Sequence, residues 1–188
     1  MKSNKQTVFI GMFAAVLAVL SQIQIPMPSG MPITLQTYAV ALTGFLLGSR
    51  YGTATVGIYI LLGAVGLPVF TGFTGGPGKL VGTTGGFLWG FLILAAACGA
   101  VRAGEGSESR GILLIWKKYR KILLPAAGLA VCHVLGAAQF AAVMQMDFLE
   151  SALLVSVPYW IKDILSVLFA YITAKTIRRR LSAELSGL

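Results

Sequence analysis

Long apolar runs alternate along this chain with short stretches of glycine, proline or charge, and the runs set its elements. They predict helices over about 7–25, 35–48, 51–67, 84–102, 122–143 and 152–175, most near the ~20 apolar residues that cross a bilayer. The stretch from Leu35 to Leu67 reads as two helices. One helix of that length would run about 50 Å at 1.5 Å per residue, against a hydrocarbon core of about 30 Å. Gly48-Ser49-Arg50 supplies the break. The pattern predicts an all-α integral membrane bundle of six transmembrane helices, a single membrane domain over residues 1–188. The first run continues to about Ile25 without a small-residue cleavage site, so a retained span is expected rather than a signal peptide.

Composition agrees: 56% of the 188 residues are hydrophobic and 11% charged, where a soluble domain carries roughly a quarter charged. The net charge of +9 would suggest nucleic acid in a soluble protein. Here the basic residues crowd the ends of apolar runs, so they read as topology and headgroup signals, with the lipid bilayer and not nucleic acid as partner. An even number of spans puts Lys2 and Lys5 on the same side as Lys175, Arg178, Arg179 and Arg180. It also gathers there Arg50, Arg102, Arg110, Lys117, Lys118, Arg120 and Lys121. Thirteen of fifteen basic residues then lie on one side, which the positive-inside rule makes cytoplasmic, together with both termini. Lys79 and Lys162 are the exceptions; Asp147 and Glu150 fall in outer loops. Gly104 to Arg110 (GEGSESR) reads as a flexible cytoplasmic link. Cys98 and Cys132 lie inside apolar runs without CxxC spacing, as small packing residues.

The outer loops, PMPSGMPITLQ (Pro26 to Gln36) and GLPVFTGFTGGPGKLVGTTGGF (Gly66 to Phe87), are poor in charge and rich in Gly and Pro. Backbone of this kind can fold over a ligand cavity, because irregular chain at membrane depth needs protein partners for its polar groups. Glycines such as Gly75 and Gly76 let main chain approach a ligand, and Phe70, Phe73 and Phe87 offer apolar walls; a floppy surface loop is the alternative. GGPGK (Gly75 to Lys79) is no P-loop, since Phe73 and Leu80 stand where Gly and Ser or Thr are required. In VPYWIKDILS, Lys162 and Asp163 are ionisable groups within an apolar run, where charge is costly unless paired or facing a cavity. Asp163, with Ser166 on roughly the same face, is the candidate ligand contact; the alternative is an ion pair with Lys162, or a Lys162 that snorkels to the interface with Asp163 as its counter-charge. Gln36, Gln139 and Gln145 are polar groups able to bond a ligand or another helix, with Gln36 the most suggestive. His133 has no second ligand at metal spacing and reads as a hydrogen-bonding packing residue. Gly11 with Ala15 and Ala14 with Ala18 form small-residue faces that permit close helix approach. No nucleophile–base set, HExxH or acid cluster is present, so no catalytic or metal site is expected.

PITLQT (Pro32 to Thr37), GLPVFTGFTGGPGKLVGTTGGFLWGF (Gly66 to Phe91) and the segment from Pro158 to Asp163 resemble the BioY family, biotin-binding S components of energy-coupling factor (ECF) transporters. The resemblance implies a six-helix S component of the bacterial cell membrane. It would capture biotin at the extracellular face and work with a T component and two ATPase subunits, which use the ATP; this chain would need no cofactor of its own. The surface toward the T component would be that of Ala14 and Ala18. One departure is that the lysine the family carries three residues after the aspartate is Ser166 here, while Lys162 precedes it. Donor–acceptor matching to biotin then gives Asp163 the ureido N–H groups, Gln36 or loop amides the ureido carbonyl, and Lys162 or Lys79 the carboxylate. Tyr159, Trp160, Phe70 and Phe73 would supply apolar contact. An S component or standalone permease for another small vitamin shares the same fold-level features.

Overall fold

The computed structural model describes residues 2–27, 31–102 and 112–180. The link from Gly104 to Arg110 lies outside the described residues, as do the side chains of Lys2, Lys117 and Lys118. The described elements are α1 (Lys2–Ser21), β1 (Gln24–Ile25), β2 (Ile33–Thr34), α2 (Gln36–Ala64), α3 (Gly78–Val81), α4 (Gly85–Arg102), α5 (Ile112–Met144), α6 (Phe148–Val155) and α7 (Val157–Arg180). Five helices, α1, α2, α4, α5 and α7, are long and apolar enough to cross a membrane. This is a mostly helical membrane protein.

The 29 residues of α2 are not one straight rod. Gly48 has φ 81° and ψ 174°, outside helical geometry, and the chain reverses there, because the Gln36 amide at one end donates to the Tyr59 hydroxyl at 2.8 Å. The expected break between 48 and 51 therefore exists, and glycine is the residue that tolerates positive φ. The arms pack tightly: a Cβ on Gly52 would come within 2.9 Å of the Gly44 Cα.

Other boundaries moved. The first helix stops at Ser21, and Gln24–Ile25 pairs antiparallel with Ile33–Thr34; apolar content alone had carried that helix to residue 25. α5 begins at Ile112, ten residues before its expected start and with Pro125 inside it. Lys and Arg are good helix formers, so the helix runs on past the apolar run that marks its spanning part. The expected helix over 152–175 is two: α6, capped by Asp147 through Leu149 N at 2.8 Å, and α7, which carries Pro158 in its first turn. Proline there lacks the N–H and sterically opposes the carbonyl four residues back, which favours a break at this point, whereas Pro125 is accommodated within α5. α7 then extends to Arg180, its last-turn arginines opposing the C-terminal dipole.

α2 packs most extensively on α4, and α4 on α5, with α1 and α7 against α2. Lipid is as apolar as leucine, so packing and interhelical hydrogen bonds hold such a bundle. A Cβ on Gly44 would lie 2.5 Å from the Ala95 carbonyl oxygen, and one on Gly99 2.2 Å from Ser49 N, so backbones touch where side chains are absent. The Ser49 hydroxyl donates to Ala96 O at 2.8 Å and the Ser151 hydroxyl to Ala137 O at 2.7 Å. Each such bond is worth roughly 0.6–2 kcal/mol within a bilayer. In α1 the stripe Ala14, Leu17 and Ser21 is buried. Of the two small-residue faces expected for docking, Ala14 is turned into the bundle and Ala18 is half-buried against the core, while Gly11 and Ala15, one turn apart, are exposed.

Candidate functional site

The Gly/Pro loop from Gly66 to Thr84 lies at one end of the bundle and is held by hydrogen bonds rather than floppy. It is tied down by neutral side chains from the turn after α1 and from α5. The Gln22 amide lies within hydrogen-bond distance of the Val69 and Phe70 carbonyls at 3.1 and 3.2 Å, and its carbonyl accepts from Phe73 N at 2.8 Å. From α5, the Gln139 amide donates to Leu80 O and Gly82 O, both at 2.8 Å. Phe70 and Thr74 pair as an isolated antiparallel bridge. Gly75 is required because a Cβ would sit 2.3 Å from the Leu67 carbonyl oxygen.

Beneath this loop lies a cavity of about 610 Å³, inside the range of about 300–1,000 Å³ usual for small-molecule sites. Its apolar wall includes Phe70, Phe87, Phe91 and Leu129; its polar wall is largely hydroxyl and amide, from Thr34, Gln36, Thr37, Thr71, Thr74 and Thr83. Lys79, Lys162 and Asp163 are its charged residues among those described.

Asp163, on the second turn of α7, is 6% exposed. It forms an ion pair with the adjacent Lys162 through Oδ1, and its Oδ2 lies 3.3 Å from His133 Nε2 on α5. Thr37 lines the same cavity. Lys162 also donates to Thr34 O at 3.3 Å, which fixes it over the hairpin. Lys162 thus neither snorkels to solvent nor stands apart from the aspartate. Gln36 is buried at the start of α2: its amide donates to Tyr59, and its carbonyl oxygen accepts from the hydroxyls of Thr34 at 3.2 Å and Thr71 at 3.0 Å. The Tyr159 hydroxyl donates to Met31 O, joining α7 to the hairpin.

Asp163, Gln36, Lys162, Tyr159, Phe70, Gly75 and Lys79 are thus brought around one cavity, although they come from three separate stretches of chain. The structure does not bring the others there. Phe73 is 73% exposed, in a positive-φ turn. Gly76 turns at φ 98° and donates its N–H to Gly63 O at 2.7 Å, a loop-closing role. Ser166 faces a separate open groove with Leu35, Tyr38 and Phe169, because three residues along α7 carry it past the cavity floor. Trp160 stacks on the far side of His133. Gln145 is exposed at the α5–α6 turn, and Gln139 serves the loop.

Sequence reasoning missed the threonines and the place of His133. The threonine signal was legible in the repeated pairing of Thr with Gly and Gln in TLQT, TGFTGG and GTTGG. His133 lies 30 residues before Asp163, and only the crossing of α5 and α7 joins them.

The model of the BioY family matches residues 1–183. The biotin transporter BioY of Thermotoga maritima is 40% identical over 132 residues, which cover 70% of this chain and 72% of that protein. The probable biotin transporter BioY of Pyrococcus horikoshii is 30% identical over 174 residues, covering 93% of this chain and 96% of its own length. Among solved structures, the crystal structure of an S component for biotin from an ECF-type ABC transporter aligns with TM-score 0.75. That alignment has 24% identity and covers 94% of this chain and 92% of the other; at that identity the likeness speaks for the fold. The chain belongs to the BioY family.

Proposed function

We propose that this protein binds biotin from the extracellular side and, as the S component of an ECF-type importer, delivers it with a T component and two ATPase subunits. The observation that carries the reading is the buried Asp163 carboxylate on the wall of a roomy cavity whose other polar groups are mostly neutral hydroxyls and amides. Biotin is mostly neutral and apolar, with two ureido N–H donors that suit such an acceptor. Charge-assisted hydrogen bonds contribute about 1.5–3 kcal/mol each.

The ligand's two polar ends lie at opposite extremes of the molecule, and that divides the lysines. Lys162 is committed to Asp163 and Thr34, hence to the ureido end. Lys79 is exposed on the loop and lines the same cavity. The carboxylate tail is assigned to Lys79, at the mouth, where it keeps part of its hydration instead of bearing the cost of burial. Gln36, fixed by Tyr59, Thr34 and Thr71, takes the ureido carbonyl through the second N–H of its amide, and Tyr159 and Phe70 flank the bicycle. Binding alone is the activity; the chain needs no cofactor and releases biotin unchanged. Counting the two arms of α2 separately gives six crossings, with both termini on the basic, cytoplasmic side of the cell membrane. The T component would meet the exposed Gly11 and Ala15 face of α1.

Isothermal titration of purified protein with biotin, thiamin and riboflavin tests the reading. Saturable binding of biotin alone is expected; preference for either other vitamin overturns it. Co-purification with ATPase subunits tests the assembly, and enlarging Gly11 and Ala15 should lower uptake while leaving biotin binding in detergent intact.

A further inference from the structure

His133 is the single histidine of the chain, 3% exposed on α5. Its ring is held on two sides. Trp160 stacks on it with centroids 5.3 Å apart and planes 24° apart, and Phe87, itself a wall of the cavity, meets it edge-on at 5.9 Å and 89°. The backbone is fixed as well, the Ser156 hydroxyl donating to His133 O at 3.3 Å. A ring so confined has a fixed orientation, and its Nε2 lies 3.3 Å from Asp163 Oδ2.

That contact is longer than the roughly 2.7–2.9 Å of a charge-assisted hydrogen bond, and neither ring nitrogen has a well-directed hydrogen bond among the described residues. Burying an imidazole on these terms is unfavourable compared with an apolar ring of similar shape. Packing alone therefore does not account for a histidine here. The carboxylate supplies a reason. Lys162 is adjacent to Asp163 in sequence, so it is tied to one side of the acid, on Oδ1. An aspartate held only on that side keeps freedom about its side-chain torsions. His133 reaches the other oxygen from a different helix.

We propose that His133 is a positioning residue for ligand binding: through Nε2 it sets the orientation of the Asp163 carboxylate toward the cavity and acts on the ligand only through that group. The inference rests on Asp163 facing the ligand. Its physical content is that side chains from two helices, Lys162 at Oδ1 and His133 at Oδ2, flank one carboxylate, leaving its cavity-facing lone pairs for ligand N–H groups. Pre-orienting an acceptor raises affinity by reducing the ordering that binding must impose.

Two substitutions separate this role from packing. His133→Phe keeps an aromatic ring for Trp160 and Phe87 but removes the donor; His133→Gln removes the ring but can return an amide N–H near the Nε2 position. Positioning predicts that biotin affinity falls about tenfold or more in His133→Phe and recovers to within about threefold of wild type in His133→Gln, the value of one hydrogen bond to a charged group. A packing role predicts the reverse order, and that order would overturn the proposal. A second measurement needs no ligand. With one histidine in the chain, its ring ¹⁵N resonances are assigned without ambiguity, and Asp163→Asn should shift the Nε2 signal while leaving the fold intact. An unmoved signal overturns the proposal even where both His133 variants fail to fold. Failure of the biotin reading is distinct: wild-type protein would then not bind biotin, whereas the Asp163-dependent resonance shift would still report the His133 contact.

Discussion

The two ends of this bundle solve the same problem with different chemistry. Each exposes carbonyl oxygens where helices stop, and each must satisfy them near membrane depth. At the basic end arginines do so: Arg102 donates to Leu46 O at 2.8 Å, two residues before the Gly48 reversal, and Arg120 to Ala100 O at 2.8 Å, in the last turn of α4. At the cavity end the carbonyls of the loop from Gly66 to Thr84 are met by neutral donors, Gln22 to Val69 and Phe70 and Gln139 to Leu80 and Gly82, while Lys162 donates to Thr34 O of the hairpin. A cation at a helix C-terminus gains from the dipole and also records sidedness. Beside a ligand cavity the same cation would impose a field on whatever binds. Neutral donors leave the field there to Lys79, Lys162 and Asp163, so ligand charge is read by few groups.

The sharpest way to break this comparison is to ask which end faces out, because the answer is all or none. Cys98 and Cys132 are buried, so single added cysteines dominate labelling. Phe73→Cys, at an exposed cavity-end position, should react with an impermeant maleimide in intact cells. Ser107→Cys and Ser186→Cys should react only after the membrane is opened. Labelling of the last two in intact cells reverses the assignment of ends.

Next in size is the charge on the cavity wall. Asp163→Asn keeps the shape but replaces an acceptor-only group by an amide whose N–H would oppose ligand donors. Loss of charge-assisted bonds at about 1.5–3 kcal/mol each lowers biotin affinity by roughly tenfold to a hundredfold or more. Unchanged affinity in folded protein, measured by titration calorimetry, removes Asp163 from the site. Smaller again is the loop support. Gln139→Leu leaves Leu80 O and Gly82 O without their side-chain donor, a desolvation cost of about 1–3 kcal/mol, which should lower both thermal stability and biotin affinity. If affinity holds while stability falls, the loop carries no part of the site.

The contrast also explains what could be read from the sequence. The basic end was legible because its signals are local: charge at the ends of apolar runs, and a glycine followed by Ser49 and Arg50 at the reversal. The cavity end was legible in type, since glycine, proline and threonine without charge announce buried irregular backbone, and Gln36 and Asp163 stood out as polar groups in apolar surroundings. What sequence could not supply was direction. Ala14 and Ala15 are neighbours, yet one is buried and the other exposed, and which face of α1 meets the bundle depends on how Leu17 and Ser21 pack. Phe70 and Phe73 looked equivalent in the same loop; the Phe70–Thr74 bridge and Gln22 turn the first inward and the second out. The break between α6 and α7 was available in Pro158, but apolar continuity outweighed it.

The smallest effect decides between the two lysines at the cavity. Lys79 is exposed, so its pairing with a ligand carboxylate is screened and contributes no more than about 0.2–1 kcal/mol, at most about fivefold in affinity. Lys79→Ala should therefore weaken biotin a few-fold and leave biotin amide, which lacks the charge, unchanged; added salt should shrink the difference. Lys162→Ala acts differently. Lys162 pairs Asp163 and braces Thr34, so its loss disturbs the ureido end and should weaken acid and amide alike. Titration of both ligands against both variants reads the two signatures directly. A Lys162→Ala protein that loses affinity for biotin but not for the amide would move the carboxylate to Lys162, reverse the ligand in the cavity, and leave Lys79 as a loop residue.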